Sequence, residues 1–299
     1  MLTETAIAGF EALVLAGPAA AVTVLPALGG KIVSLVDPRS RRQWLWRNEA
    51  LDLRAPSYDA SYVTDFDSGG WDECFPAVAP GTYPSGPWRG SAIPDHGELW
   101  GVPWEVVSQE ADRLELAAAG VRFPVRFERT IAITDTGLSF AYRASNPTPF
   151  AFPFIWCVHP LLAVQPGMVL CLPDDVEFKI FGRDLGASCR LPTVLPRADS
   201  GLAIKAFGRS PAAGWVAVRD GTAEFRLQWD PATITHLGVW LNAGGWAGVP
   251  GALPYYNLGL EPGIGAGDDL GLAASILDEA GAIPARGYLE WTLYLHLAN

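Results

Sequence analysis

Residues 123–145 read FPVRFERTIAITDTGLSFAYRAS. Apolar side chains recur with a period of two over 123–133 and again over 138–145, and the polar run 134–137 separates the two segments. That period puts one set of side chains on a core and the other toward solvent or a second sheet, so the stretch predicts two antiparallel strands joined by a turn. The same alternation occupies 104–107 and 113–118, again bounded by polar or glycine-containing turns.

Toward the N-terminus, strands are expected at 11–15 and 21–25. A Gly29-Gly30 turn leads into 31–36, and Asp37-Pro38 closes that strand before another at 43–46. Residues 51–67 read as irregular, with Tyr58 and Tyr62 packing on the tryptophans that follow. Toward the C-terminus, the Asn146-Pro147-Thr148-Pro149 turn precedes an apolar run, 150–158, that ends in His159-Pro160. Further strands are expected at 169–172, 214–218, 223–229, 236–241, 255–260 and 288–296, and 173–207 reads mostly as loop. Only 268–277 has a helical pattern, with Asp268 or Asp269 as its N-cap. With no repeat of fixed period, no interdomain linker and no βαβ pattern, the expectation is an all-β chain. Residues 1–299 are expected to form one domain built from large antiparallel sheets with very little helix.

Composition limits function. Hydrophobic residues make up 49% and charged residues 18%, which supplies a large core and excludes a disordered chain. A net charge of −11 argues against nucleic acid or an anionic membrane as partner, because nothing offsets phosphate charge. A neutral small molecule is expected instead. The uncharged run 12–28 is interrupted by Gly17, Pro18 and Pro26 and has no basic segment before it, so it reads as two buried strands of a cytoplasmic protein. Cys74, Cys157, Cys171 and Cys189 have neither zinc-ribbon nor disulfide-framework spacing.

Residues 69–104 read GGWDECFPAVAPGTYPSGPWRGSAIPDHGELWGVPW. Four tryptophans lie among turn-forming Gly and Pro together with Asp72, Glu73, Asp95, His96 and Glu98. Flat indole faces beside carboxylates and an imidazole suit a polyol ring: its C–H face stacks on aromatics and its hydroxyls require hydrogen-bonding side chains. Trp71 and Trp240 are candidates for such stacking, and Asp72 and Glu73 for hydroxyl binding. Salt bridges of Asp72 or Glu73 to Arg89 or Lys31 are an equal alternative. His96 and Glu98, spaced as neighbours on one strand face, lack a third metal ligand nearby. His159 ends a hydrophobic strand at a proline, where sheet rims open into pockets. Glu261 ends the apolar strand before Pro262-Gly263, where partial desolvation raises a carboxyl toward the range useful for a general base. His236 and His296 read as structural.

Gly29-Gly30-Lys31-Ile32, Asp95-His96-Gly97-Glu98, Asn146-Pro147-Thr148 with His159-Pro160, and Asn257-Leu258-Gly259-Leu260-Glu261-Pro262 occur in the order seen in aldose 1-epimerases. Over nearly its whole length the chain resembles the galactose mutarotase-like superfamily. The resemblance implies a β-supersandwich and interconversion of the α and β anomers of a free monosaccharide, without metal or nucleotide cofactor. It implies Glu261 as the base for the anomeric hydroxyl, His159 as the acid for the ring oxygen, and His96 as a second histidine near that oxygen. The expected arrangement sets Glu261 and His159 on opposite edges of the ring. Where the family has a substrate-binding arginine in an Asn-Arg-Ile phrase, this chain reads Trp71-Asp72-Glu73-Cys74. Around Trp240 to Trp246 no counterpart of its hydroxyl-binding aspartate is found. A non-catalytic sugar-binding module on the same fold is the alternative, and a carbohydrate lyase or hydrolase on a related sandwich is a third.

Overall fold

The computed structural model describes residues 1–180, 186–248 and 254–299. Among these, the strands form a twelve-stranded sheet and an eight-stranded sheet, with two small two-stranded ribbons. The stretch 123–145 folds as the antiparallel hairpin Arg126–Thr134 with Gly137–Asn146, its register closing at Thr134 opposite Gly137. These strands sit inside the eight-stranded sheet, where Gly137–Asn146 also pairs with Gly287–Ala298. Phe127, Ile131, Phe140 and Tyr142 point inward and are buried.

The larger sheet runs from Leu2–Ile7 at one edge through Lys31–Asp37, Trp71–Cys74, Trp156–Leu162, Tyr256–Ile264 and His236–Ala243 to Leu202–Arg209 and Phe178–Ile180. Its central strand Trp156–Leu162 is buried at every residue, so both faces are covered. One face packs on the eight-stranded sheet: Trp71 stacks on Phe140 with centroids 4.7 Å apart, and Trp156 lies 4.8 Å from both Tyr142 and Trp291. Truncating one such buried ring costs about 3–5 kcal/mol.

Arg129 breaks the apolar pattern of its strand, and its side chain is fully buried between the sheets. Nη1 lies 3.1 Å from Glu73 Oε1, Nη2 donates to the Gly30 carbonyl, and the guanidinium sits over Trp104. Glu73 also accepts from Tyr142 Oη at 3.0 Å and Trp156 Nε1 at 2.9 Å. Its carboxyl is raised by burial and pulled back by Arg129, as a closed ion pair inside a core requires.

Several local expectations differ from the structure. A strand at Leu2–Ile7, where none was expected, pairs with Phe10–Ala16. Residues 51–67 contain a helical turn, Tyr62–Phe66. The stretch read as loop at 173–207 contains the short strands Phe178–Ile180 and Ser188–Cys189 and most of Leu202–Arg209, and its residues 181–185 lie outside the described ones. Short strands bounded by Pro and Gly give too few alternations to be distinguished from turns. The expected helix is a turn at Leu270–Leu272 continuing into Ala273–Leu277, capped by Asp269, whose Oδ1 accepts from Leu272 N.

Candidate functional site

The outer face of the twelve-stranded sheet carries the chemistry. On Trp156–Leu162, Trp156 and Val158 face the core, so Cys157, His159 and Leu161 face outward at a spacing of two. The register extends that face across the sheet: His159 pairs with Asp72, Gly238 with Glu261, Trp240 with Gly259 and with Lys205. The absence of side chains at Gly238 and Gly259 leaves room beside Glu261. A Cβ at Gly259 would stand 2.7 Å from Glu261 Oε1, and one at Gly238 would meet Phe207 at 2.8 Å.

Over this floor lies a cavity of about 680 Å³. Its walls include Tyr62, Asp67, His96, Trp240, Trp246 and Tyr255, with His159, Lys205 and Asp268 at the base. His96 enters from the 69–104 stretch through a tight turn in which His96 (φ 60°) and Gly97 (φ 76°) are both left-handed. A Cβ at residue 97 would lie 2.0 Å from the Phe75 carbonyl oxygen, so glycine is required there. Tyr62 stacks on His96 at 4.0 Å, and the His96 and His159 rings meet edge to face at 5.1 Å. Asp95 orients His96 through a 2.8 Å contact with Nδ1 and is itself held by Val63 N and Ser61 Oγ. Burial raises the Asp95 carboxyl, but the contacts to His96 and the backbone outweigh it and the net shift is downward.

His159 Nε2 and Glu261 Oε1 are 3.8 Å apart. Lys205 Nζ lies 3.2 Å from Glu261 Oε2 and 3.1 Å from Asp268 Oδ1. Neither Glu261 oxygen has a hydrogen bond of good geometry, and His159 Nδ1 is likewise unpartnered among the described residues. Burial lowers the His159 imidazole well below its ordinary range, and nearby His96 and Lys205 push the same way, so the ring is neutral at pH 7. Burial raises the Glu261 carboxyl against the opposing pull of Lys205. A base pushed up and an acid pushed down converge, so a proton passes between such groups at small cost. Burial also pushes Lys205 down, but Asp268 and Glu261 outweigh it and keep the ammonium charged.

Glu261, His159 and His96 are thus brought together, with one change from expectation. At 3.8 Å the acid and base candidates cannot lie on opposite edges of a ring, because no pyranose fits between them. They sit side by side. Glu261 is also sealed: its side chain is fully buried under His159 and Lys205 and does not border the cavity.

Trp240 is in the wall, its Nε1 donating to Asn257 Oδ1 at 3.2 Å. Trp71 and Glu73 are not, and their assignment as sugar-binding residues is corrected. Both point into the core from Trp71–Cys74, Trp71 onto Phe140 and Glu73 onto Arg129, where no ligand reaches. Asp72, on the opposite face of that strand, is taken up by Lys31 and by Tyr62 Oη at 2.8 Å, beneath the Tyr62 ring rather than in the wall. His96 and Glu98 do not share a face either. Glu98 turns away to Tyr58 and to the backbone N–H groups of Val121 and Arg122.

Sequence reading missed Lys205, Asp268 and Asp67. Lys205 has a visible signal, a charge in the interior of the alternating run Leu202–Arg209. Asp67 has none, because it lies in the irregular stretch. Its Oδ2 accepts from Tyr255 Oη at 3.2 Å and its Oδ1 is buried without a partner among the described residues; burial raises its carboxyl, with Lys31 opposing. An orphaned oxygen in a cavity wall is a ready acceptor for a ligand hydroxyl.

No protein-family model matches the sequence, and a search of curated proteins gives no match. Solved structures do match over the whole chain. A galactose mutarotase-like protein from Clostridium acetobutylicum superposes with a TM-score of 0.77 at 14% identity, covering 100% of this chain and 98% of that one. A galactose mutarotase-like protein from Lactobacillus casei gives 0.70 at 13% identity, covering 96% and 99%. A galactose mutarotase related enzyme from Lactobacillus acidophilus gives 0.70 at 12%, covering 95% and 97%. The chain has the galactose mutarotase-like β-supersandwich fold. No helix among the described residues is long and apolar enough to cross a membrane.

Proposed function

We propose that the cavity binds a neutral free aldose and interconverts its α and β anomers, with Glu261 and His159 as the proton-transfer pair and His96 supporting the ring oxygen. The observation that carries this reading is the 3.8 Å approach of Glu261 Oε1 to His159 Nε2 at the base of an aromatic-walled cavity. The anomeric hydroxyl and the ring oxygen are bonded to the same carbon, so the groups that deprotonate one and protonate the other must be close neighbours. Trp240, Trp246 and Tyr255 offer faces for the C–H side of the ring, and the orphaned Asp67 oxygen accepts a hydroxyl. The wall residues carry Asp67, Asp95 and Asp268 against Lys205, which disfavours phosphorylated or carboxylated sugars.

In this mechanism the sugar displaces the flexible Lys205 stem and uncovers Glu261, since catalytic hydrogen bonds often tighten only in the complex. Glu261 takes the proton from the anomeric hydroxyl as the C1 to ring-oxygen bond breaks and passes it to Nε2 of neutral His159, and the imidazolium so formed gives it to the ring oxygen, which restores the carboxylate and the neutral ring. Rotation about C1–C2 and reclosure with the roles reversed yield the other anomer. No metal or nucleotide takes part in these steps.

The sealed state of Glu261 favours one alternative, a module that binds sugar without turning it over. Polarimetry on freshly dissolved aldoses separates the two. The enzyme accelerates the optical drift of at least one sugar in a broad panel, whereas saturable binding with no acceleration across the panel refutes turnover.

A further inference from the structure

Lys205 stands between two carboxylates. Its Nζ is 3.2 Å from Glu261 Oε2 on one side and 3.1 Å from Asp268 Oδ1 on the other. The two partners are not equivalent. Lys205 and Asp268 border the 680 Å³ cavity with side chains 18% and 14% exposed, whereas the Glu261 side chain is sealed at 0%. The ammonium must leave Glu261 before a ligand in the cavity can reach that carboxylate.

The backbone fixes one end of this arrangement and leaves the other free to move. The Asp268 carbonyl accepts from Val78 N at 3.1 Å and Ala79 N at 2.9 Å, and the next residue, Asp269, caps the turn Leu270–Leu272. The Val78 carbonyl in turn accepts from His96 N at 2.7 Å, so Asp268 and His96 are tied to the same segment. Lys205 projects from the interior of Leu202–Arg209 on a flexible four-carbon stem. A short carboxylate on anchored backbone facing a long flexible amine makes Asp268 the fixed post and Lys205 the moving part. Without Asp268, uncovering Glu261 would strand a buried ammonium; with it, the ammonium gives up one partner and keeps the other.

We propose that Asp268 is a positioning residue for Glu261: it holds the Lys205 ammonium while the sugar lifts that group off the base, so that Glu261 is covered in the empty protein and uncovered on binding. This rests on the sugar-binding reading of the cavity. Because binding has to move Lys205, a change that makes the movement harder lowers sugar affinity by the factor it removes from the open population.

Isothermal titration of the full chain with glucose, galactose and mannose selects the hexose that binds best, and the variants are compared with that hexose. Asp268→Asn is expected to weaken its affinity about tenfold. In a Lys205→Met background, where no ammonium has to move, Asp268→Asn has no further effect. A crystal structure of the unmutated protein with this hexose needs no variant to fold, and it is expected to show Nζ within about 3.5 Å of Asp268 and more than about 4 Å from Glu261. Unchanged affinity in Asp268→Asn, a loss that persists in the Lys205→Met background, or an Nζ that has left both carboxylates in the complex refutes the role of Asp268 while the sugar-binding reading stands. If none of the three hexoses binds, both readings fall.

Discussion

Replacing Glu261 by Gln separates a catalytic role for this carboxylate from a structural one. The native carboxylate is fully buried, 3.2 Å from Lys205 Nζ, and lacks a well-formed hydrogen bond among the described residues. At an effective dielectric constant near 20, that ion pair is worth about 5 kcal/mol of Coulomb attraction. Against it stand several kcal/mol of desolvation and about 1–3 kcal/mol for oxygens left without hydrogen bonds. In the variant, Lys205 keeps Asp268 at 3.1 Å, so no buried charge is stranded. The opposing contributions nearly cancel, and stability changes by no more than about 1 kcal/mol in either direction, roughly 2–4 °C in Tm. Anomer exchange, followed by polarimetry on a freshly dissolved anomer, falls by about 10²–10⁴-fold, as expected for loss of a general base. Undiminished exchange in Glu261→Gln refutes the assignment. A drop in exchange matched by a large drop in Tm refutes it too, because the residue is then part of the scaffold.

Three further outcomes are expected. Arg129→Met leaves Glu73 charged and unpaired between the sheets and destabilises the fold by about 3–5 kcal/mol in urea titration; a change below 1 kcal/mol contradicts the closed pair. Because burial holds His159 below its ordinary range, the unfolded chain binds more protons there than the folded one just below pH 6.5. Stability from this residue is therefore present above that pH and lost as pH falls through the window, so the acid arm of a Tm-versus-pH curve is shallower in His159→Gln. Trp240→Ala removes a stacking face of the cavity and raises KM about tenfold while changing kcat little; a loss confined to kcat contradicts stacking.

The sheet architecture was legible where alternation ran long enough to be read. The hairpin Arg126–Thr134 with Gly137–Asn146 combines period two with a polar turn, and its partner Gly287–Ala298 alternates over twelve residues. The sugar-binding assignments of Trp71 and Glu73 failed for a reason the same rule contains. On an extended strand, Trp71 and Glu73 share one face and Asp72 takes the other, so the three cannot all look into one pocket. Aromatic density around Trp71 drew attention to the stretch, but burial between sheets consumes most tryptophans of a large core. Glu261 and His159 were visible as polar residues in apolar runs, but neither ends its strand as expected: both lie in strand interiors, in Tyr256–Ile264 and Trp156–Leu162, and their side-by-side geometry comes from strand order, which a single sequence does not print. Lys205 and Asp67 reach the site from distant segments and depend wholly on that order.

The most direct test is a crystal structure of the protein with a bound aldose. The account predicts the sugar in the 680 Å³ cavity against Trp240, with its anomeric carbon over the floor. Its hydroxyl and ring oxygens should lie within about 3 Å of Glu261 and His159, with the Lys205 side chain moved aside. A sugar bound with its anomeric carbon turned away from both groups, or with Glu261 still sealed beneath Lys205, contradicts it.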